Sequence, residues 1–147
     1  VVALVGDRCG WACVVLNSII SLIVDGKKKE EILKIVLSHF EEEMPAEIIR
    51  CLSFDYQSIR DEYLLPISGY SLDTLGIALW SWQTSEDFET SIKKVISLGN
   101  DADTFAAITG AIAGCYYGYN KIPERWKGKI IKEDYIKSVA NQLIGQI

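Results

Sequence analysis

From Asp7 to Val24 the chain reads DRCGWACVVLNSIISLIV, almost free of charge, and Gly26 follows two residues later. The pattern predicts a core helix, with Asp7 suited to the N-cap and Gly26 to the residue just past a C-terminus. Its uncharged part is shorter than the roughly 20 residues of a membrane span, and Asp7 and Arg8 interrupt the apolar opening, so no signal or membrane segment is expected. Residues 28–40, KKEEILKIVLSHF, place Ile32, Ile35, Val36 and Phe40 on one stripe, an amphipathic helix whose Lys27–Lys29 start reads as solvated. Pro45 suits the first turn of a short helix through Leu52. SFDYQSIRDEYL predicts a further short helix or turn. Ser71 to Trp82 is apolar and helical, and Ser85 then reads as the cap of a helix that stops at Gly99. Thr104 to Tyr117 is a glycine-spaced helix, and KEDYIKSVANQLIGQI closes the chain. No stretch sustains the alternation that strands need, and no repeat, low-complexity segment or linker divides the chain. The pattern predicts one all-α, multi-helix unit over residues 1–147.

Composition narrows the classes of function. The 147 residues suffice for one domain with a sizeable core, and 49% hydrophobic with 24% charged residues is an ordinary globular balance. A net charge of −5 and scattered basic residues argue against nucleic acid as the main partner. Cys9, Cys13, Cys51 and Cys115 form no CxxC pair and read as buried free thiols of a reducing, cytoplasmic setting. His39 is the sole histidine, so neither a His-paired nucleophile nor a multi-His zinc site is supported. Glu41, Glu42 and Glu43 read as solvated surface, and Trp80, Trp82 and Trp126 as packing residues. Tyr70, after PIS and a glycine, reads as a loop residue able to bind.

The chemistry concentrates in SLGNDADTFAAITGAIAGCYYGYNKIPERW, residues 97–126. Asp101 and Asp103 stand one residue apart at the mouth of a helix spaced by Gly110, Gly114 and Gly118. In a regular helix positions i and i+2 diverge, but at a non-helical junction both carboxylates can turn the same way. Asp-x-Asp-Thr then offers several hard oxygens to one small volume, which suits Mg²⁺ or Mn²⁺. The bland alternative is an N-cap at the positive end of the helix dipole. The glycines, with Ala106, Ala107, Ala111 and Ala113, make a smooth face that reads as the packing surface of a buried central helix.

Residues 69–126 carry a longer pattern: GYSLDTLGIALW, then LGNDADTFAAITGAIAGCYYG, then IPERW. This resembles the C-terminal signature of the ADP-ribosylglycohydrolase family, especially the branch typified by the dinitrogenase reductase-activating glycohydrolase. The resemblance implies an all-helical fold and a binuclear Mg²⁺ or Mn²⁺ centre. It also implies removal of ADP-ribose from modified protein side chains, or cleavage of related ADP-ribosyl compounds. Carried over by residue, Asp101 and Asp103 match the family's metal-binding carboxylates and Thr104 its hydroxyl ligand. Gly69 and Tyr70 match the loop that faces the ADP-ribose.

The family's second acidic motif, a Thr-Asp-Asp cluster with an upstream Gly-Asp segment, has no counterpart in residues 1–68. GDRCG at residues 6–10 fits the family's mid-chain segment, where a helix begins. The expectation is therefore a C-terminal half that lacks its N-terminal half, with the catalytic acid or base in the missing part. Such a chain is expected to be catalytically silent alone, and to self-associate through apolar faces left exposed on the Cys9–Val24 helix and the glycine helix. A non-catalytic relative, either ADP-ribose-binding or structural in the manner of lens crystallins, is the alternative.

Overall fold

The computed structural model describes residues 7–40, 42–52 and 69–145. The helix or turn expected over residues 53–64 lies outside the described residues. Among those described, every regular element is helical, as the sequence pattern requires. In chain order these are α1 (Asp7–Val24), α2 (Lys29–Phe40), α3 (Ala46–Leu52), α4 (Ser71–Gln83), α5 (Phe88–Ile96) and α6 (Ala102–Tyr117). A 3₁₀ turn (Tyr119–Lys121), α7 (Glu124–Lys127) and α8 (Glu133–Ile144) complete the set, and the first two of these were not legible in the sequence.

The glycine helix α6 is the hub, lying along α4 and α5 and also meeting α1; α1 in turn packs on α2, α3 and α4. One core joins Val15 and Ile19 of α1, Ile32 and Val36 of α2, Ile48 and Leu52 of α3, Leu79 and Trp82 of α4, and Ile112 of α6. A second cluster of Ile77, Val95 and Phe105 fixes the first turn of α6 between α4 and α5. Phe105 is fully buried there. Burying such a ring is worth about 1.5–3 kcal/mol, which makes the mouth of α6 a rigid place to hold side chains.

Several expectations change at the level of single residues. The helix after residue 85 begins at Phe88 and is capped by Asp87, whose carboxylate accepts from the Thr90 amide at 2.7 Å and the Thr90 hydroxyl at 3.0 Å. Ser85 lies too far upstream to reach that turn; it is buried with its hydroxyl unpaired. Lys29 is not solvated. Its ammonium turns inward and donates to Trp82 O and Ser85 O, both at 2.8 Å, and to the Tyr117 hydroxyl at 2.7 Å. The rings of Trp82, Tyr116 and Tyr117 surround it at 5.4, 5.2 and 5.0 Å. The Trp82 and Ser85 carbonyls lie at and just past the end of α4, the negative end of its dipole, so a cation there offsets part of its own desolvation. Burial nonetheless pushes the Lys29 pKa down.

The glycine helix is not wholly buried, because Asp103, Ala107 and Ala111 form an exposed stripe. A methyl at Gly110 would lie 3.7 Å from Ile92 Cδ1, and one at Gly114 3.7 Å from Phe88 Cε2. Those are ordinary contacts, so the two glycines face α5 without being demanded by it. All four thiols are free, but Cys13 is exposed and the other three are half-buried rather than buried. Burial pushes the Cys51 thiol up to about 11. Trp82 is fully buried, Trp126 meets Phe88 edge to face at 6.2 Å, and Lys94 covers Trp80, so the indoles pack. No described helix is long and apolar enough to cross a membrane. The large exposed apolar side chains are not concentrated on α1 and α6. They cluster from Ile130 to Ile144, on and before α8, which buries none of its residues.

Candidate functional site

The turn into α6 sets the site. Gly99 (φ 70°) and Asn100 (φ 54°) are both left-handed, a conformation open to glycine and tolerated by asparagine. Two such residues in succession swing the chain from α5 directly into Asp101, and α6 starts at Ala102. Asp101 is thus the N-cap residue, yet its side chain accepts no hydrogen bond from a helix N–H. The comparison within the molecule is Asp87. Both aspartates begin Asp-x-x-Thr, but Asp87 is extended (φ −146°, ψ 168°) and reaches the third amide on. Asp101 has φ −82° and ψ 50°, which turns the carboxylate away from the amides. Its Oδ1 accepts instead from the Thr104 hydroxyl at 2.8 Å, and its Oδ2 lies against Gly69. The cap explanation for this carboxylate therefore loses its bond.

The structure brings Asp101, Thr104 and Gly69 together, with Asp101 and Thr104 half-buried. Asp103, two residues after Asp101, is exposed. Tyr70, next to Gly69, is the N-cap residue of α4 and 43% exposed. Arg8 at the start of α1 lies beside it. The Tyr70 hydroxyl, and then the Glu47 carboxylate, hold the Arg8 pKa above its ordinary value. Arg8 donates to Glu47 Oε1 at 2.7 Å, an exposed pair of small energetic weight. Behind Gly69 and Thr104 lies an apolar cavity of about 220 Å³ between α1, α4 and α6, lined also by Cys9, Ser71, Thr74 and Ile108. Cys9 Sγ and Ser71 Oγ meet across it at 3.2 Å. The Thr74 hydroxyl is buried and unpaired.

Arg8, Cys9, Ser71 and Thr74 were given no role in a site by the sequence, Cys9 being read only as a buried thiol. The one signal that could have found the first pair is GDRCG as a helix start that resembles a family segment; Thr74 stood inside the quoted pattern without a role. A larger cavity of about 340 Å³ lies elsewhere, lined by Asp87, Glu89, Lys93, Tyr117 and Lys121 among others. Two of its carboxylates are engaged, Asp87 in the cap and Glu89 with Lys93 and Arg125.

The donors at the mouth of α6 fit a hard divalent cation in kind: two carboxylates and a hydroxyl, all oxygen. They fall short in number. Among the described residues no group of three or more His, Cys, Asp or Glu side chains is placed to hold a metal ion.

The family model described as ADP-ribosylglycohydrolase matches residues 4–147. This chain belongs to that family. Its sequence is 33% identical to the ADP-ribosylarginine hydrolase Tri1 of Serratia proteamaculans over 133 residues, 90% of this chain and 35% of that protein. It is 59% identical to human ADP-ribosylhydrolase ARH3 over 32 residues, 22% of this chain and 9% of that protein. The fold matches a solved structure titled ADP-ribosylglycohydrolase-related protein complex with TM-score 0.74 and 29% identity, over 89% of this chain and 44% of that one. The chain thus spans about a third of the Serratia relative's length.

Proposed function

We propose that the protein is a metal-dependent hydrolase that removes ADP-ribose from modified protein side chains or related ADP-ribosyl compounds. The observation that carries the reading is the Asp101 carboxylate. It occupies a helix N-cap, makes no cap bond, and is held at a half-buried mouth by Thr104 and Gly69. In this reading Asp101, Asp103 and Thr104 hold Mg²⁺ or Mn²⁺, which when bound polarises a water and the ribose oxygens. Thr104 orients the Asp101 carboxylate, and the Gly69–Tyr70 loop faces the ADP-ribose. Hydrolysis adds the water oxygen to the anomeric carbon and returns a proton to the departing side-chain atom. The group that moves that proton is assigned to the part of the fold that the longer relatives have and this chain does not span. The Serratia relative is named for ADP-ribosylarginine, which favours an N-glycosidic bond to arginine as the substrate linkage.

The test measures turnover and thermal midpoint together for Asp103→Ala in the full-length protein. Asp103 is exposed in the first turn of α6, so its loss costs the fold at most about 1 kcal/mol of dipole interaction. Release of ADP-ribose is expected to fall to background with the fold intact. Unchanged turnover would return the pair of aspartates to a structural role.

A further inference from the structure

Gly69 is held to glycine by contact with a neighbouring side chain. A methyl group at Gly69 would lie 1.9 Å from Asp101 Oδ2 and 3.1 Å from Asp101 Cγ, far inside van der Waals contact. The added methyls at Gly110 and Gly114 would meet nothing nearer than 3.7 Å. The atoms in the way at Gly69 are the free end of one side chain. The backbone beneath it is anchored: Phe105, fully buried between α4 and α5, donates its amide to Asp101 O at 3.1 Å. A side chain at position 69 is therefore met by rotation of the Asp101 carboxylate, not by movement of α6. That rotation breaks the 2.8 Å bond from Thr104 Oγ1 to Asp101 Oδ1.

We propose that Gly69 is a positioning residue, whose missing side chain is the slot that holds the Asp101 carboxylate against Thr104 in its metal-binding orientation. The consequence for metal rests on the hydrolase reading above; the slot itself does not. On this proposal the effect of Gly69 on metal passes through Asp101, whatever the Gly69–Tyr70 loop does for ADP-ribose.

The experiment compares the full-length protein with its Gly69→Ala, Asp101→Ala and double variants. Crystal structures of the wild type and Gly69→Ala report the Asp101 rotamer, melting reports the fold, and electron paramagnetic resonance reports Mn²⁺ binding. In Gly69→Ala the carboxylate is expected to leave Thr104, with the midpoint shifted by less than about 4 °C. Mn²⁺ affinity is expected to fall roughly tenfold to a hundredfold, as when the support of a ligand is lost. In the Asp101→Ala background the same substitution is expected to change Mn²⁺ affinity less than about twofold, because residues acting through one group are not additive. An unmoved Asp101 carboxylate in Gly69→Ala overturns the proposal, as does an equal loss of affinity in both backgrounds. If the wild type takes up no Mn²⁺, the metal reading falls, and the rotamer alone then decides for or against the slot.

Discussion

At the scale of the residue, Asp87 and Asp101 show how one motif is spent in two ways. Each is an N-cap aspartate three residues before a threonine, but only Asp87 bonds a helix amide. Asp87→Ala is accordingly expected to lower stability by about 1 kcal/mol, and Asp101→Ala by clearly less, read as the two shifts in thermal midpoint. The pH dependence follows the same division. The Thr90 amide and hydroxyl hold the Asp87 pKa below its ordinary 3.8. Its folded pKa is thus depressed, so its contribution is whole above 3.8 and is lost as pH falls through the lower folded value. Asp87→Ala is expected to flatten the acid limb of the stability curve in that window, and urea melts between about pH 5 and 2 check it. Why Asp101 sits so differently was only half legible. LGND announces a left-handed turn, but ψ at Asp101 is set where α5 and α6 are held by Ile77, Val95 and Phe105.

At the scale of the element, the lysine at the start of α2 acts as a C-terminal cap for α4. Lys29 satisfies Trp82 O and Ser85 O and, through Tyr117, ties in the end of α6. Lys29→Met keeps the stem but leaves Trp82 O with only the Ser85 amide and Ser85 O with only the Tyr117 hydroxyl, and is expected to cost about 1–3 kcal/mol in urea unfolding. The sign of its pH dependence is the same as Asp87's, in an alkaline window and for a different cause: here burial penalises the charged form. Burial depresses the folded pKa of Lys29 below 10.5, so between the two values the unfolded chain binds more protons and stability rises with pH. Lys29→Met is expected to remove that rise, measured as the difference between wild-type and variant stability as pH is raised toward 10.5. A run of three lysines before an amphipathic helix gives no hint that the third turns inward. The acceptors that draw it in lie 53 and more residues away.

At the scale of the whole molecule, the apolar surface left open is on α8 and its approach. Ile131, Tyr135, Ile136, Leu143 and Ile144 are all more than half exposed, while α8 is held by Glu133 to the Tyr119 hydroxyl and by polar contacts around it. A patch of that kind promotes association. Sedimentation velocity is expected to show the 147-residue chain self-associating as its concentration rises. Ile136→Glu with Leu143→Glu is expected to keep it monomeric, with stability changed by no more than about 0.5 kcal/mol per substitution, because neither residue is buried.

By itself, the sequence determined the longer described helices and their bounds to within a few residues, though not the 3₁₀ turn or α7, since helical periodicity, caps and glycine stops are local properties of the chain. It also determined the family, since GYSLDTLGIALW, DADT and IPERW stand in order within one stretch. What it could not determine was which groups meet. Asp101 against Gly69, Lys29 under three aromatic rings, and Arg8 beside Tyr70 join residues 32 to 88 positions apart. Those meetings depend on how α1, α4, α5 and α6 pack, and only the assembled core fixes the distances on which the chemistry of a site rests.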